Sequence, residues 1–274
     1  MDSVASPSLA NCLMKLRQAR RHLEELRHAT RDFLDPDSPP GPPCRLREEP
    51  TADWKVAWLA VDRDPPPEWA HAAAAAMRTL RVALDMLIPQ LWLLNGETPP
   101  KKGVGFPILL YRPTKDDRKK LGNAIKGISS GYRNLIREMQ PYRNKGTRDA
   151  WVLTTLAGFD NIDAHADLHP MYVVRKHRFW GLEVEIVLQD PETGEELHAG
   201  AFQIAEGELE HGDEVARVKP ATASVVPQVE ISIAFGDPAL RLGDLIEIYN
   251  RIVRFIRAFD EVFPVPVFPP LRPQ

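Results

Sequence analysis

The sequence predicts an α+β protein of 274 residues: a mainly helical part over 8–168, then an antiparallel sheet and a C-terminal helix over 171–263, in one integrated unit. Three observations carry that expectation. Before residue 168, apolar residues recur in steps of three and four, the spacing of one helical face. From Met171 to Phe235 the pattern turns to short β-branched and aromatic runs, which fit strands. After Leu242 the helical spacing returns. Helices grouped before strands build segregated α+β architectures, whereas alternating βα units build parallel sheets.

The elements follow in order. Leu9, Cys12, Leu13, Leu16, Ala19, Leu23, Leu26, Ala29 and Phe33 form one stripe and predict a helix over 8–34, with Ser8 as N-cap. It must stop before DPDSPPGPP, because proline removes a donor and pushes its predecessor out of the α region. WKVAWLAVD, residues 54–62, reads as a strand. After DPPPEW an apolar pattern runs over 69–94, with Pro89 set to kink or divide it and Asn95-Gly96 to end it.

A loop, ETPPKKGVGFPILLYRP, leads to one or two short helices over 115–140, broken at GISSG. Another helix is expected over 148–168, ended by Pro170. MYVVRKHRFW, LEVEIVLQD, HAGAFQIAEG and QVEISIAF read as strands, with PETGE as a turn; Glu183 and Glu185 alternate with Val184 and Ile186 as a half-exposed strand would. LGDLIEIYNRIVRFIRAFDEVF forms the last helix, and a proline-rich tail closes the chain.

Composition bounds the function. Hydrophobic residues make up 43% and charged residues 27% of the chain, as in a soluble globular protein. A net charge of −3 gives no global argument for nucleic acid or an anionic membrane, so any such role must come from a local patch. Cys12 and Cys44 belong to no metal-ligand spacing and read as free thiols of a reducing compartment. No uninterrupted signal-peptide core or membrane-length apolar run occurs, so a cytoplasmic protein without membrane contact is expected. No G-x-G-x-x-G or G-x-x-x-x-G-K-[ST] loop appears, which argues against nucleotide-dependent enzymes of the common folds and leaves no cofactor expected.

Three groups of residues remain as site candidates. In RTLRVALDML, Arg78, Arg81 and Asp85 border an otherwise apolar helix formed by Met77, Leu80, Leu84, Leu87, Ile88 and Leu91. Arg81 and Asp85 form an i, i+4 ion pair that screens a core edge, or Arg81 faces a cleft and holds a phosphate with its planar fork. Such two-sided apolarity places the helix at the centre of the fold or against a second copy in a homodimer. In LAGFDNIDAHADLH, Asp163 projects into the stripe of Val152, Leu156 and Phe159 and needs a cation, for which Arg81 or Arg78 is the natural partner. Asn161 and His165 lie on the opposite face; His165 with His169 has metal-pair spacing that Pro170 disturbs, and His165 also qualifies as a general acid or base. Third, Lys115 to Arg148 contains ten Lys or Arg against three acids, a balance of +7. Lys119 and Lys120 lie in it, with Tyr132 and Tyr142 interleaved as stacking surfaces for RNA bases. A solvated helical face explains the same charges.

The ordered set RRHLEEL, LRVALD, NG, FPI, IREMQPY and LAGFDNIDAH resembles an uncharacterised bacterial protein family with segments such as LRSALDH, QFPI, LQPY and LDNIDKHR. That resemblance spans most of residues 8–260 and implies a fold but no activity. The chain is also similar to the HEPN superfamily, helical RNase and toxin–antitoxin domains marked by R-x(4–6)-H. There Arg81 would be the motif arginine, and its histidine falls where this chain has Met86. Met86 cannot transfer a proton, so the resemblance implies a degenerate module that binds RNA or a protein partner. The alternatives are a metal-independent RNase or phosphate-ester enzyme using His165, Arg81 and Asp163, and a scaffold without catalysis.

Overall fold

The computed structural model describes residues 7–35, 37, 39–41, 43–50, 55–63, 65–101, 104–166, 180–189, 202–204, 212, 214–218, 226–235, 240–259 and 270–271. The chain is helix-rich. Its helices are α1 (Ala10–Leu34), α2 (Glu68–Leu94), α3 (Lys115–Ile125), α4 (Ser130–Glu138), α5 (Arg148–Ala166) and α6 (Leu242–Arg257). The strands are β1 (Cys44–Pro50), β2 (Lys55–Val61), β3 (Trp180–Gln189), β4 (Phe202–Ile204), β5 (Glu214–Val218), β6 (Val226–Phe235) and β7 (Leu240–Arg241).

The described residues form two compact units, each drawn from separate parts of the chain: Met1–Glu25, His71–Lys176 and Gly243–Gln274 in one, Leu26–Ala70 and His177–Leu242 in the other. The division therefore departs from the sequence order of helices, strands and last helix. The first unit is helical. Along α1, Leu9, Cys12, Leu16, Ala19 and Leu23 are buried at the expected spacing, and Ser8 Oγ accepts the Ala10 N–H at 3.1 Å. Helix α2 buries Ala73, Met77, Thr79, Leu80, Ala83, Leu84, Leu87, Ile88, Leu91 and Trp92, most of its circumference. Val82 and Met86, on the opposite side of this helix, are half-buried. Pro89 lies inside it without ending it, and Gly96 at φ +76° follows its last turn. That left-handed conformation is one glycine adopts freely.

The expected break at GISSG separates α3 from α4. Trp92 fixes the break: its indole N–H donates to Ala124 O at 2.7 Å, and Asn95 Nδ2 donates to Gly127 O at 3.0 Å. Gly127 sits so close to the indole that a Cβ there would lie 2.1 Å from a ring carbon. Helix α3 opens with a reciprocal cap between Thr114 and Asp117, which satisfies otherwise orphaned donors. The Thr114 hydroxyl and backbone N–H hold the Asp117 carboxyl below its usual range.

Helix α6 belongs with the other helices and not with the strands. Leu245, Ile248, Tyr249, Ile252 and Ile256 are buried. Arg148 of α5 reaches Asp244 at 2.9 Å, Arg251 pairs with Glu247 at 2.6 Å and with Asp149 of α5, and Tyr132 of α4 packs its ring 5.4 Å from Phe259 just beyond α6. These contacts follow from an apolar face that needs helical partners to bury it.

In the second unit the strands pair as two groups. One has the order β1-β2-β5-β4, the other β3-β6-β7, all antiparallel. Strand β2 matches the expected run at 54–62, but β1 (CRLREEP) was not expected: its apolar–polar alternation covers only Cys44–Arg47 before two acids and a proline, and pairing with β2 from Cys44↔Val61 to Pro50↔Lys55 makes it a strand. LEVEIVLQD and QVEISIAF fall in β3 and β6, paired from Trp180↔Phe235 to Gln189↔Val226. Only Trp180 of MYVVRKHRFW and Phe202 to Ile204 of HAGAFQIAEG are described; PETGE, His169 and most of the C-terminal tail lie outside the described residues, as do the side chains of Glu183 and Glu185. In the same unit Arg63 lies over the Phe33 ring at 4.6 Å and donates to Phe33 O at 3.2 Å, while Phe33 meets Trp69 edge-on at 5.3 Å.

Candidate functional site

The charges on α2 have a defined job within the helical unit. Arg81 and Asp85 are 3.1 Å apart, their side chains 16% and 34% exposed. Together they grip one residue of the loop that follows: Arg81 Nη2 donates to Phe106 O at 3.0 Å, and Phe106 N donates to Asp85 Oδ1 at 2.8 Å. The Phe106 side chain is buried. Gly105 lets the chain approach this closely, since a Cβ there would come within 2.7 Å of Asp85 Oδ1. The i, i+4 pair thus does more than screen a core edge: it supplies the donor and acceptor that a neighbouring strand would have supplied.

A second grip continues the first. Fully buried Gln140 accepts from Leu109 N at 2.9 Å and donates from Nε2 to Pro107 O and Ile136 O, both at 2.9 Å. Tyr142 N donates to Leu109 O at 3.2 Å. Residues 104–110 therefore run extended across the helices without belonging to a sheet, held by side chains. Three of the quoted sequence segments, LRVALD, FPI and MQPY, converge on this one arrangement.

Beyond the gripped segment the surface is basic. Tyr111 is 77% exposed, the most open large apolar side chain of the described residues. Arg112, Lys115, Arg118, Lys119, Lys120 and Lys126 follow as exposed cations along α3, and Arg143, Lys145 and Arg148 are exposed on the turn into α5; Arg133 and Arg137 are half-buried. Thr147 caps α5 by accepting Ala150 N at 3.2 Å, and Gly146 sits at φ +81° in the turn before it.

Two cavities flank that turn. One, about 490 Å³, is lined by Leu110, Pro141, Lys145, Arg148, Trp151 and Thr154, among others. The Arg148 guanidinium stacks on the Trp151 ring, 3.8 Å from its centroid. The other, about 330 Å³, lies between Asn144, Asp149, Arg251 and Arg254. Its charges are balanced: Arg251 is bonded to Asp149 and Glu247, and Arg254 lies 3.8 Å from Glu247.

Of the residues singled out from the sequence, those that come together are Arg81 and Asp85. Arg81 and Asp85 meet each other and Phe106, while Arg78 is exposed one turn earlier. Asn161, Asp163 and His165 fall on α5, with side chains outside the described residues. Lys119 and Lys120 are exposed. Tyr132 has one flank against Phe259, and half-buried Tyr142 is tied by its backbone to Leu109; neither is the open stacking ring the sequence implied, because the apolar parts of both are used in packing. Gln140, Tyr111, Lys145 and Trp151 escaped sequence reasoning, although Gln140 lies in a quoted segment and Lys145 in the counted basic stretch. Among the described residues no three His, Cys, Asp or Glu side chains come together as metal ligands, and no helix is long and apolar enough to cross a membrane. Comparison with known proteins finds no matching family model, no similar curated protein and no similar solved structure.

Proposed function

We propose that this protein is a non-catalytic, degenerate HEPN-like module of α+β architecture that binds single-stranded RNA in the cytoplasm through the basic face running from Tyr111 to Arg148. One observation carries the reading. Of the ten Lys and Arg residues between 115 and 148, eight are exposed: Lys115, Arg118, Lys119, Lys120, Lys126, Arg143, Lys145 and Arg148. Cations clustered in this way neutralise phosphates and release condensed counterions on binding. Tyr111, open at the start of this face, offers the stacking surface that base recognition needs.

The catalytic alternative with His165 and Asp163 would need Arg81 as its phosphate holder. The Arg81 fork instead bonds Phe106 O and Asp85, with its side chain mostly enclosed, which favours a positioning role in the fold. A homodimer through α2 and a protein partner at the basic face both lack a supporting observation of their own.

The test is fluorescence anisotropy with a labelled ten-nucleotide RNA across a salt series. Binding should weaken steeply as salt rises, and Lys119→Glu/Lys120→Glu should reduce affinity at least tenfold at low salt while leaving the melting temperature unchanged. Absent binding, or binding indifferent to both salt and the double variant, overturns the proposal.

A further inference from the structure

We propose that the cavity of about 490 Å³ beside the start of α5 is the seat of a single nucleotide, with its base against the Arg148–Trp151 stack and its phosphate at Lys145; this rests on the RNA reading above. The volume falls within the roughly 300–1,000 Å³ of small-molecule sites. Its chemistry is two-sided. Leu110, Pro141, Ala150 and Trp151 make an apolar wall, while Lys145 and Arg148 bring positive charge and Thr154 a hydroxyl. An inorganic anion has no use for the apolar wall, and an uncharged hydrophobe has none for the lysine. A flat heterocycle carrying a phosphate uses both.

The stack itself is suited to a base. A guanidinium carbon 3.8 Å from the indole centroid leaves its outer face to accept a further ring by stacking and cation–π attraction. The bond of Arg148 to Asp244 at 2.9 Å anchors the guanidinium, which reduces the ordering that binding imposes. Lys145 is different: it is exposed on the turn and has no ion pair among the described residues, which leaves its charge for a ligand. The neighbouring cavity has no such lysine, and its arginines are matched by Asp149 and Glu247 as Arg148 is by Asp244. The turn geometry supports the placement. Gly146 at φ +81° lets the chain reverse between Lys145 and the Thr147 cap, setting Lys145 and α5 on the same cavity. Leu110 is next to Tyr111, so a strand of RNA crossing the basic face reaches the cavity without leaving the surface that binds it.

The experiment titrates the full chain with adenosine 5′-monophosphate, adenosine and ribose 5-phosphate by calorimetry, and with the labelled ten-nucleotide RNA by anisotropy. The monophosphate should bind more tightly than either fragment. Lys145→Ala should weaken the monophosphate but not adenosine. Trp151→Leu should weaken both by about 5- to 100-fold, the range for loss of one base stack, while ribose 5-phosphate binding stays as it was. Trp151 is half-buried; if its replacement unfolds the chain, Thr154→Trp at an exposed helix position fills the cavity from outside and should block the monophosphate. Monophosphate binding no tighter than ribose 5-phosphate, or untouched by Lys145→Ala and Thr154→Trp, overturns the inference. RNA binding that both variants leave intact also overturns it and keeps the RNA reading. Monophosphate binding without RNA binding does the reverse: it keeps a free-nucleotide site and sinks the RNA reading.

Discussion

Individual polar side chains do the work of missing strands in the helical unit. Arg81 and Asp85 satisfy both backbone groups of Phe106, Gln140 satisfies Leu109 N and Pro107 O, and Asn250 of α6 both accepts from Leu271 N at 3.1 Å and donates to Leu271 O at 2.9 Å. Both gripped segments, 104–110 and the one at Leu271, contain or adjoin proline, which cannot donate to a sheet ladder. Truncating a grip leaves buried groups without partners, which costs about 1–3 kcal/mol each. Gln140→Ala should therefore lower stability by about 2–4 kcal/mol in urea titration, since three bonds are lost and a small void opens. Asp85→Asn keeps an acceptor for Phe106 N and should cost less than Asp85→Ala; equal losses would show that the charge, not the acceptor, matters. The sequence displayed Arg81 and Asp85 as anomalies but hid their partner, because a backbone carbonyl has no letter of its own. Gln140, one ordinary glutamine, carried no local signal at all.

At the level of elements, periodicity located the long helices and missed what joins them. Helix α2 spans Glu68–Leu94 against an expected 69–94, and α1 ends at Leu34 as the proline run requires. The joint between α2 and the α3–α4 turn was invisible, since it rests on Trp92 meeting a residue that must lack a side chain. Gly127→Ala would set a Cβ 2.1 Å from a Trp92 ring carbon, a clash that forces the indole or the turn to move. The expected result is a loss of about 1–3 kcal/mol, typical of overpacking, read as a lower melting temperature; an unchanged value would mean the turn yields freely. Strand β1 escaped for the opposite reason. CRLREEP alternates over only four residues, with two charged residues and a proline after them, and its structure comes from the register with β2; β propensity depends on such context more than helix propensity does.

At the scale of the whole molecule, two buried groups among the described residues, Cys12 and Tyr249, tie stability to alkaline pH. Burial pushes the Cys12 thiol up from 9.0 to about 12, and burial also raises the Tyr249 hydroxyl above 10.0 despite the Arg20 guanidinium beside it. Both groups ionise sooner in the unfolded chain than in the folded one. Their contribution is thus complete below about pH 9 and is lost as pH climbs, through the thiol between 9 and 12 and through the tyrosine above 10. Melting temperature should fall progressively from pH 9 to 11, and Cys12→Ala should flatten the first part of that fall; a flat profile in the native chain would refute it. At this scale the sequence determined that the chain is helix-rich, where its long helices lie, and that a local excess of +7 sits between Lys115 and Arg148, because periodicity and charge are properties of the chain read in order. The tertiary structure alone decided that the last helix joins the first ones, that β1 and β2 pair with a group of strands far along the chain, and that Arg81 serves Phe106. Those are contacts between distant residues, and they are chosen by which apolar faces and backbone groups find partners once the chain is folded.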